Sequence, residues 1–234
     1  MNTPYYFGGY YLLRPKPIVF GSDKGKLTQT TSACINDALD TWVYSWSIQS
    51  KKMQEQAKKD FQLDDSALTQ IQAWADEKFE LGKLQWIDTF PELQSALEFK
   101  HTFMSHLNDA HIYSIYLRAT DSEALTNEFK SDQNNQAEFG LRQNLLRKIV
   151  ENESLNEVLL GYDLIGVEIG GSYHSFYCND ATQELIDKFQ LTLNENGLFD
   201  EVEDWTPVTE YLNDETNGFE PVPWYVAKTK RVIE

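Results

Sequence analysis

The sequence predicts an α+β fold, a helical layer packed on a small, mostly antiparallel β-sheet. Three observations carry that expectation. Apolar residues recur at helical spacing through the first half, strand-like runs concentrate late, and no repeat of 20 to 50 residues or regular strand–helix alternation runs through the chain. A hydrophobic content of 41% with 13% aromatics is also far from the aromatic-poor profile of a disordered acidic chain.

Tyr5 to Phe7 and Tyr10 to Leu13 read as strand material around Gly8 and Gly9, a pair suited to a tight hairpin or a bulge. Pro15 and Pro17 limit any ladder, so this is an edge strand or an extended arm. After a polar loop over 21–31, Ile35, Ala38, Leu39, Trp42, Val43 and Trp46 have helical spacing. A second helix is expected from Ser66 to about Leu81, burying Leu68, Ile71, Trp74 and Phe79, with Asp65 as cap and Gly82 as terminator. A third is expected from Pro91 to Leu107.

The period then changes. Ile112 to Leu117 is a continuous apolar and β-favouring run, short enough for a strand buried on both faces. Helices follow over Ser122–Lys130 and Gln136–Val150, the latter placing Leu141, Leu145, Leu146 and Ile149 on one side. From Tyr162 to Cys178 the pattern is a β-hairpin: Ile165, Val167 and Ile169 alternate with Gly166 and Glu168, Gly170 and Gly171 turn, and Tyr173 to Cys178 returns. Asp180 and Gln183 fit a capping box for a short helix burying Leu185, Ile186 and Phe189. Thr206 and Pro207 open another short helix, and Trp224 to Val232 is a last strand. The hairpin alone is too small a core, so strands from the front half complete the sheet. The expected organisation is one domain over 1–234, with a helix-rich front over 1–150 and an acidic, strand-containing back over 151–234.

The charge is unevenly spread. Of the net −17, the segment from Ile149 to Ala227 holds 17 acids against a single base, Lys188, whereas the first 148 residues hold 19 acids and 16 bases. A field of one sign favours partners of the opposite sign and repels nucleic acid and anionic membrane. Direct nucleic-acid binding is therefore rejected, because neutralising phosphate needs clustered Lys and Arg. No stretch approaches the roughly 18 to 20 apolar residues of a membrane span, and Met1 to Gly9 lacks the flank and run of a secretory signal, so a cytoplasmic location is expected.

Signatures of chemistry fail one by one. Gly21 to Lys26 has one residue too few between its glycines for a phosphate loop, and Leu27 stands where a Ser or Thr should bind magnesium. His101, His106 and His111 are five apart, about 140° on a helix, so they share no face and no metal is expected. His174 and Cys178 on one strand face lie roughly 13 Å apart and form no dyad, and Cys34 and Cys178 read as buried thiols. No cofactor and no catalytic residue is assigned.

What distinguishes the back is aromatics interleaved with acids. The expected partner-binding residues are Asp200, Glu201, Glu203 and Asp204, with Trp205, Tyr211 and Trp224 as anchors, although large aromatics are also the usual stuff of a core. The function this supports is a non-catalytic, acidic binding protein that occludes a basic protein. Its most concrete version is a bacterial immunity protein neutralising a toxin, an analogy of composition and role that rests on no motif. The alternatives are a hydrolase-type enzyme built from distant residues, with His174 and carboxylates, or an adaptor that mimics nucleic acid.

Overall fold

A computed structural model describes residues 4–17, 27–30, 55, 58–59, 61–81, 83, 89–128, 140–152, 156–168, 173–179 and 182–234. The expected helix over 35–46, the loop over 21–26, Cys34, Ile169, the Gly170–Gly171 turn and the Asp180 cap lie outside these residues.

The fold is α+β. Strands β1 (Tyr5–Leu13), β4 (His111–Arg118), β5 (Glu157–Val167), β6 (Tyr173–Ser175) and β7 (Trp224–Val232) form one antiparallel sheet in the order β1-β4-β7-β5-β6, while β2 (Lys16–Pro17) and β3 (Thr28–Gln29) pair separately. Two strands thus come from the front and three from the back. β1 is an edge strand, and Gly9 makes a bulge in it: the register slips between Phe7 and Gly9, where φ is 138°. Its free edge is covered by short bridges, Tyr6 to Val150 and Tyr10 to Phe90.

Six α-helices stand among the described residues: α1 (Asp65–Glu80), α2 (Leu93–Phe103), α3 (Ala119–Glu128), α4 (Gly140–Leu146), α5 (Thr182–Phe189) and α6 (Thr206–Leu212). The α1 cap is Asp64, one residue earlier than expected, its carboxylate accepting from the Ala67 N–H at 2.7 Å. Phe79, expected inside, is 41% exposed: it continues the stripe of Leu68, Ile71 and Ala75 but stands in the last turn of α1, beyond the buried part of that stripe.

Side-chain alternation assigns the helices to both faces of the sheet. On one face, Tyr113, Ile115 and Leu117 of β4, Ile165 and Val167 of β5 and Ala227 of β7 pack with Leu125 of α3 and Leu141 and Leu145 of α4. The opposite face carries two separate packs. Leu12, Ile112 and Tyr116 meet Ile71, Ala75, Ala96 and Phe99 of α1 and α2. At the other side, Leu164, Trp224 and Val226 meet Leu185 of α5 and Val208 and Leu212 of α6. Between those two packs the strand register puts Tyr116, Lys228 and Tyr162 in one row, with Ser114 beside Lys230 in the next. The middle of this face is therefore polar.

The hairpin has the expected pairing, Ile165 with Ser175 and Val167 with Tyr173. Its return strand is shorter than expected, however, since Phe176–Asn179 is a 3₁₀ turn. The turn lets Phe176 pack 4.5 Å from Phe199 between ring centroids, while the Tyr177 hydroxyl donates to the Gly197 carbonyl at 2.5 Å, and a continuing strand would separate those contacts. Among the described residues no helix is long and apolar enough to cross a membrane.

Candidate functional site

The polar middle of the sheet face opens into a cleft of about 420 Å³, lined by Pro4, Tyr5, Arg118, Val150, Glu151, Tyr162, Lys228 and the segment Glu201–Glu203 with Trp205. Each wall has a structural reason. Gly161, at φ 147°, makes a second bulge in β5, and a Cβ there would stand 2.7 Å from the Asn194 side chain and 2.8 Å from Leu198. Its absence lets the turn over 194–199 lie against the strand, held by paired backbone bonds between Tyr162 and Phe199. That contact delivers the following segment, Asp200 to Trp205, to the cleft.

The floor is ionic. Glu151 accepts from Lys228 at 2.9 Å and also pairs with Lys230, and all three side chains are largely buried. Burial pushes the Glu151 carboxyl up, but the bonds from Lys230 and Lys228 outweigh it and hold it below the usual range. The Lys228 ammonium lies 3.9 Å from the Tyr5 ring centroid. Arg118 gives its Nε to Asp121 at 2.9 Å. The Tyr162 hydroxyl bonds the Glu201 carboxylate, and burial, then Tyr5 and Glu201, raise that phenol well above its ordinary value.

The expected partner-binding residues separate into two groups. Asp200, Glu201, Glu203 and Asp204 lie on or near the surface, and Glu201 and Glu203 stand on the cleft rim. Asp204 also serves locally, accepting from the Thr206 N–H at 2.9 Å at the start of α6, and that bond holds its carboxyl below the ordinary value. The aromatics behave differently. Trp205 is 4% exposed and Trp224 1% exposed, so both are core residues and have almost no surface to give a partner. Trp205 packs on Tyr162 at 5.9 Å, and Trp224 faces α6 with its backbone N–H donating to Asn213. Tyr211 is half-buried on α6, its hydroxyl donating to Glu184.

Away from the cleft lining, α5, α6 and the loop after α6 expose Glu184, Asp187, Glu210, Asp214 and Glu215. Lys188, the sole base of the acidic segment, has its ammonium 4.0 Å from the Tyr211 ring centroid.

The histidines are dispersed. His101 is exposed beside Glu234, His106 bonds the Phe61 carbonyl from α2's end, and His111 begins β4. Burial, then Arg231 and Lys100, lower His111 from its ordinary value. His174 is buried in β6 with Nε2 3.1 Å from Glu168 and 3.5 Å from Glu220. Its neighbour Ser175 points to the opposite face and donates to the buried Asp163 at 2.7 Å, so the two do not form a nucleophile and base with each other. Sequence spacing alone missed the cleft, because Tyr5, Arg118, Glu151 and Lys228 come from four separate stretches. Neither protein-family models nor curated proteins nor solved structures match the chain.

Proposed function

We propose that this protein is a non-catalytic, acidic binding protein of the cytoplasm that occludes a basic protein partner, most concretely an immunity protein that neutralises a toxin. One observation carries the reading. The exposed carboxylates of the Asp200–Asp204 segment, α5 and α6 form one acidic cap on the sheet, and the single base within that stretch is folded onto Tyr211. Such a surface steers a basic partner into contact and penalises acidic ones. With Trp205 and Trp224 inside, attraction comes from the carboxylates, and the half-buried Tyr211 is the one expected aromatic with area left to contribute.

The experiment is affinity capture from the native host followed by binding kinetics and an activity assay of the captured protein. Reversal of Asp200, Glu201, Glu203 and Asp204 to Lys is expected to lower the on-rate at least tenfold and to flatten its salt dependence, since exposed charges act over a Debye length of about 8 Å at physiological ionic strength. Because Asp204 also bonds the Thr206 N–H at the start of α6, a second variant, Glu210→Lys with Glu215→Lys, changes only exposed positions and is expected to act in the same direction. An acidic partner, or on-rates unchanged in both variants, sinks the proposal in favour of an enzyme.

A further inference from the structure

We infer that the cleft between the two packs is a binding site for a small dipolar molecule, one that carries a carboxylate together with a separate ammonium or guanidinium. Its volume of about 420 Å³ falls within the roughly 300–1,000 Å³ usual for small-molecule sites. Charge is divided within it. At the floor Lys228 lines the cleft and, with Lys230 behind it, converges on the carboxylate of Glu151 in a largely buried place. Beside them Arg118 has five N–H donors to offer, and among the described residues its side-chain bond is from Nε to Asp121. Arg118 lines the cleft, and the fork of its guanidinium suits a carboxylate. At the mouth the sign reverses, since Glu201 and Glu203 are exposed on the rim.

That division rules out simpler ligands. A plain anion must pass two rim carboxylates on a chain of net charge −17 before reaching Arg118. A plain cation meets a floor already occupied by Lys228, whose ammonium covers the Tyr5 ring. A molecule with both charges satisfies each end, its carboxylate on Arg118 and Lys228 and its cation between Glu201 and Glu203. The half-buried Tyr5 supplies most of the aromatic surface of the cleft, since Tyr162 and Trp205 line it with little exposed area.

The test is titration of the isolated protein with L-arginine and L-lysine, followed by calorimetry and by the tryptophan fluorescence that Trp205 contributes. Because no partner protein is present, its outcome is separate from that of the capture experiment. Saturable binding with a Kd of about 1 mM or tighter is expected for at least one of the two. Agmatine, which lacks the carboxylate, and acetate, which lacks the cation, are expected to bind at least tenfold more weakly. Arg118→Met should weaken binding at least tenfold. Should that variant lose its cooperative melt, Glu203→Gln, at an exposed rim position, must still weaken binding of the cationic end. The inference is overturned if neither amino acid saturates, if agmatine or acetate binds as well as they do, or if a folded Arg118→Met or Glu203→Gln binds unchanged.

Discussion

Gly161 decides where the acidic segment stands. At φ 147° with a Cβ position 2.7 to 2.9 Å from Asn194, Leu198 and the Phe199 carbonyl, it accepts no other residue without moving the turn that leads to Asp200. Gly161→Ala is therefore expected to cost about 1–3 kcal/mol, the range of local strain and overpacking, and to lower Tm in a calorimetric scan. An unchanged Tm would show that the bulge does not hold the turn. At this scale the sequence was only partly legible. The exposure of Asp200, Glu201, Glu203 and Asp204 follows from their charge, but whether an aromatic is a core residue or an anchor depends on what packs over it. Trp224 lies in a strand whose alternate positions, Val226 among them, face α6, and α6 is itself defined by Val208 and Leu212. Composition says nothing about that contact.

Among the elements, the last strand is where sequence pattern and structure agree to the residue, Trp224–Val232, and Trp224, Tyr225, Val226, Thr229 and Val232 supply its β-favouring residues. The hairpin return was legible only to Ser175, since the tertiary contacts of Phe176 and Tyr177 with Phe199 and Gly197 override the local pattern. What alternation did not disclose is that the inward face of β7 carries Lys228 and Lys230 in its middle. Those two ammoniums fasten β7 to the segment ahead of β5 through Glu151. The Glu151 carboxyl is depressed in the folded chain, so its contribution is present above its unfolded value, near 4.5, and disappears as pH falls through the lower folded value. Glu151→Gln should destabilise the protein at pH 7 by less than the roughly 3–5 kcal/mol of a fully buried broken pair, since these side chains retain some exposure. The difference from wild type should shrink below pH 4.5. Denaturant melts of both proteins from about pH 7 to about pH 3 measure it, and a gap that stays constant with pH removes the ionic account.

For the molecule as a whole, the charge that suits a basic partner works against the folded state. Much of the acidic charge is exposed on one sheet face, where the carboxylates of α5, α6 and Asp200–Asp204 repel one another and Lys188 is the one base in that stretch of sequence. Two effects of salt compete. Screening relieves repulsion among exposed acids, and it also weakens the attraction of Glu151 to Lys228 and Lys230. The exposed groups are many and lie in water, where screening is strong, whereas the Glu151 cluster is largely buried and is screened much less. Relief wins. Raising sodium chloride from low to physiological ionic strength and beyond is expected to raise Tm by a few degrees, about 2–4 °C for each kcal/mol of repulsion relieved in a chain of this size. Two controls make the expectation specific. Potassium chloride must act as sodium chloride does, because screening depends on ionic strength, and the Glu210→Lys, Glu215→Lys variant must start from a higher Tm at low salt and gain less. A Tm that falls with salt in the wild type would mean that the ionic floor of the cleft, and not its acidic surroundings, dominates the electrostatics of the fold.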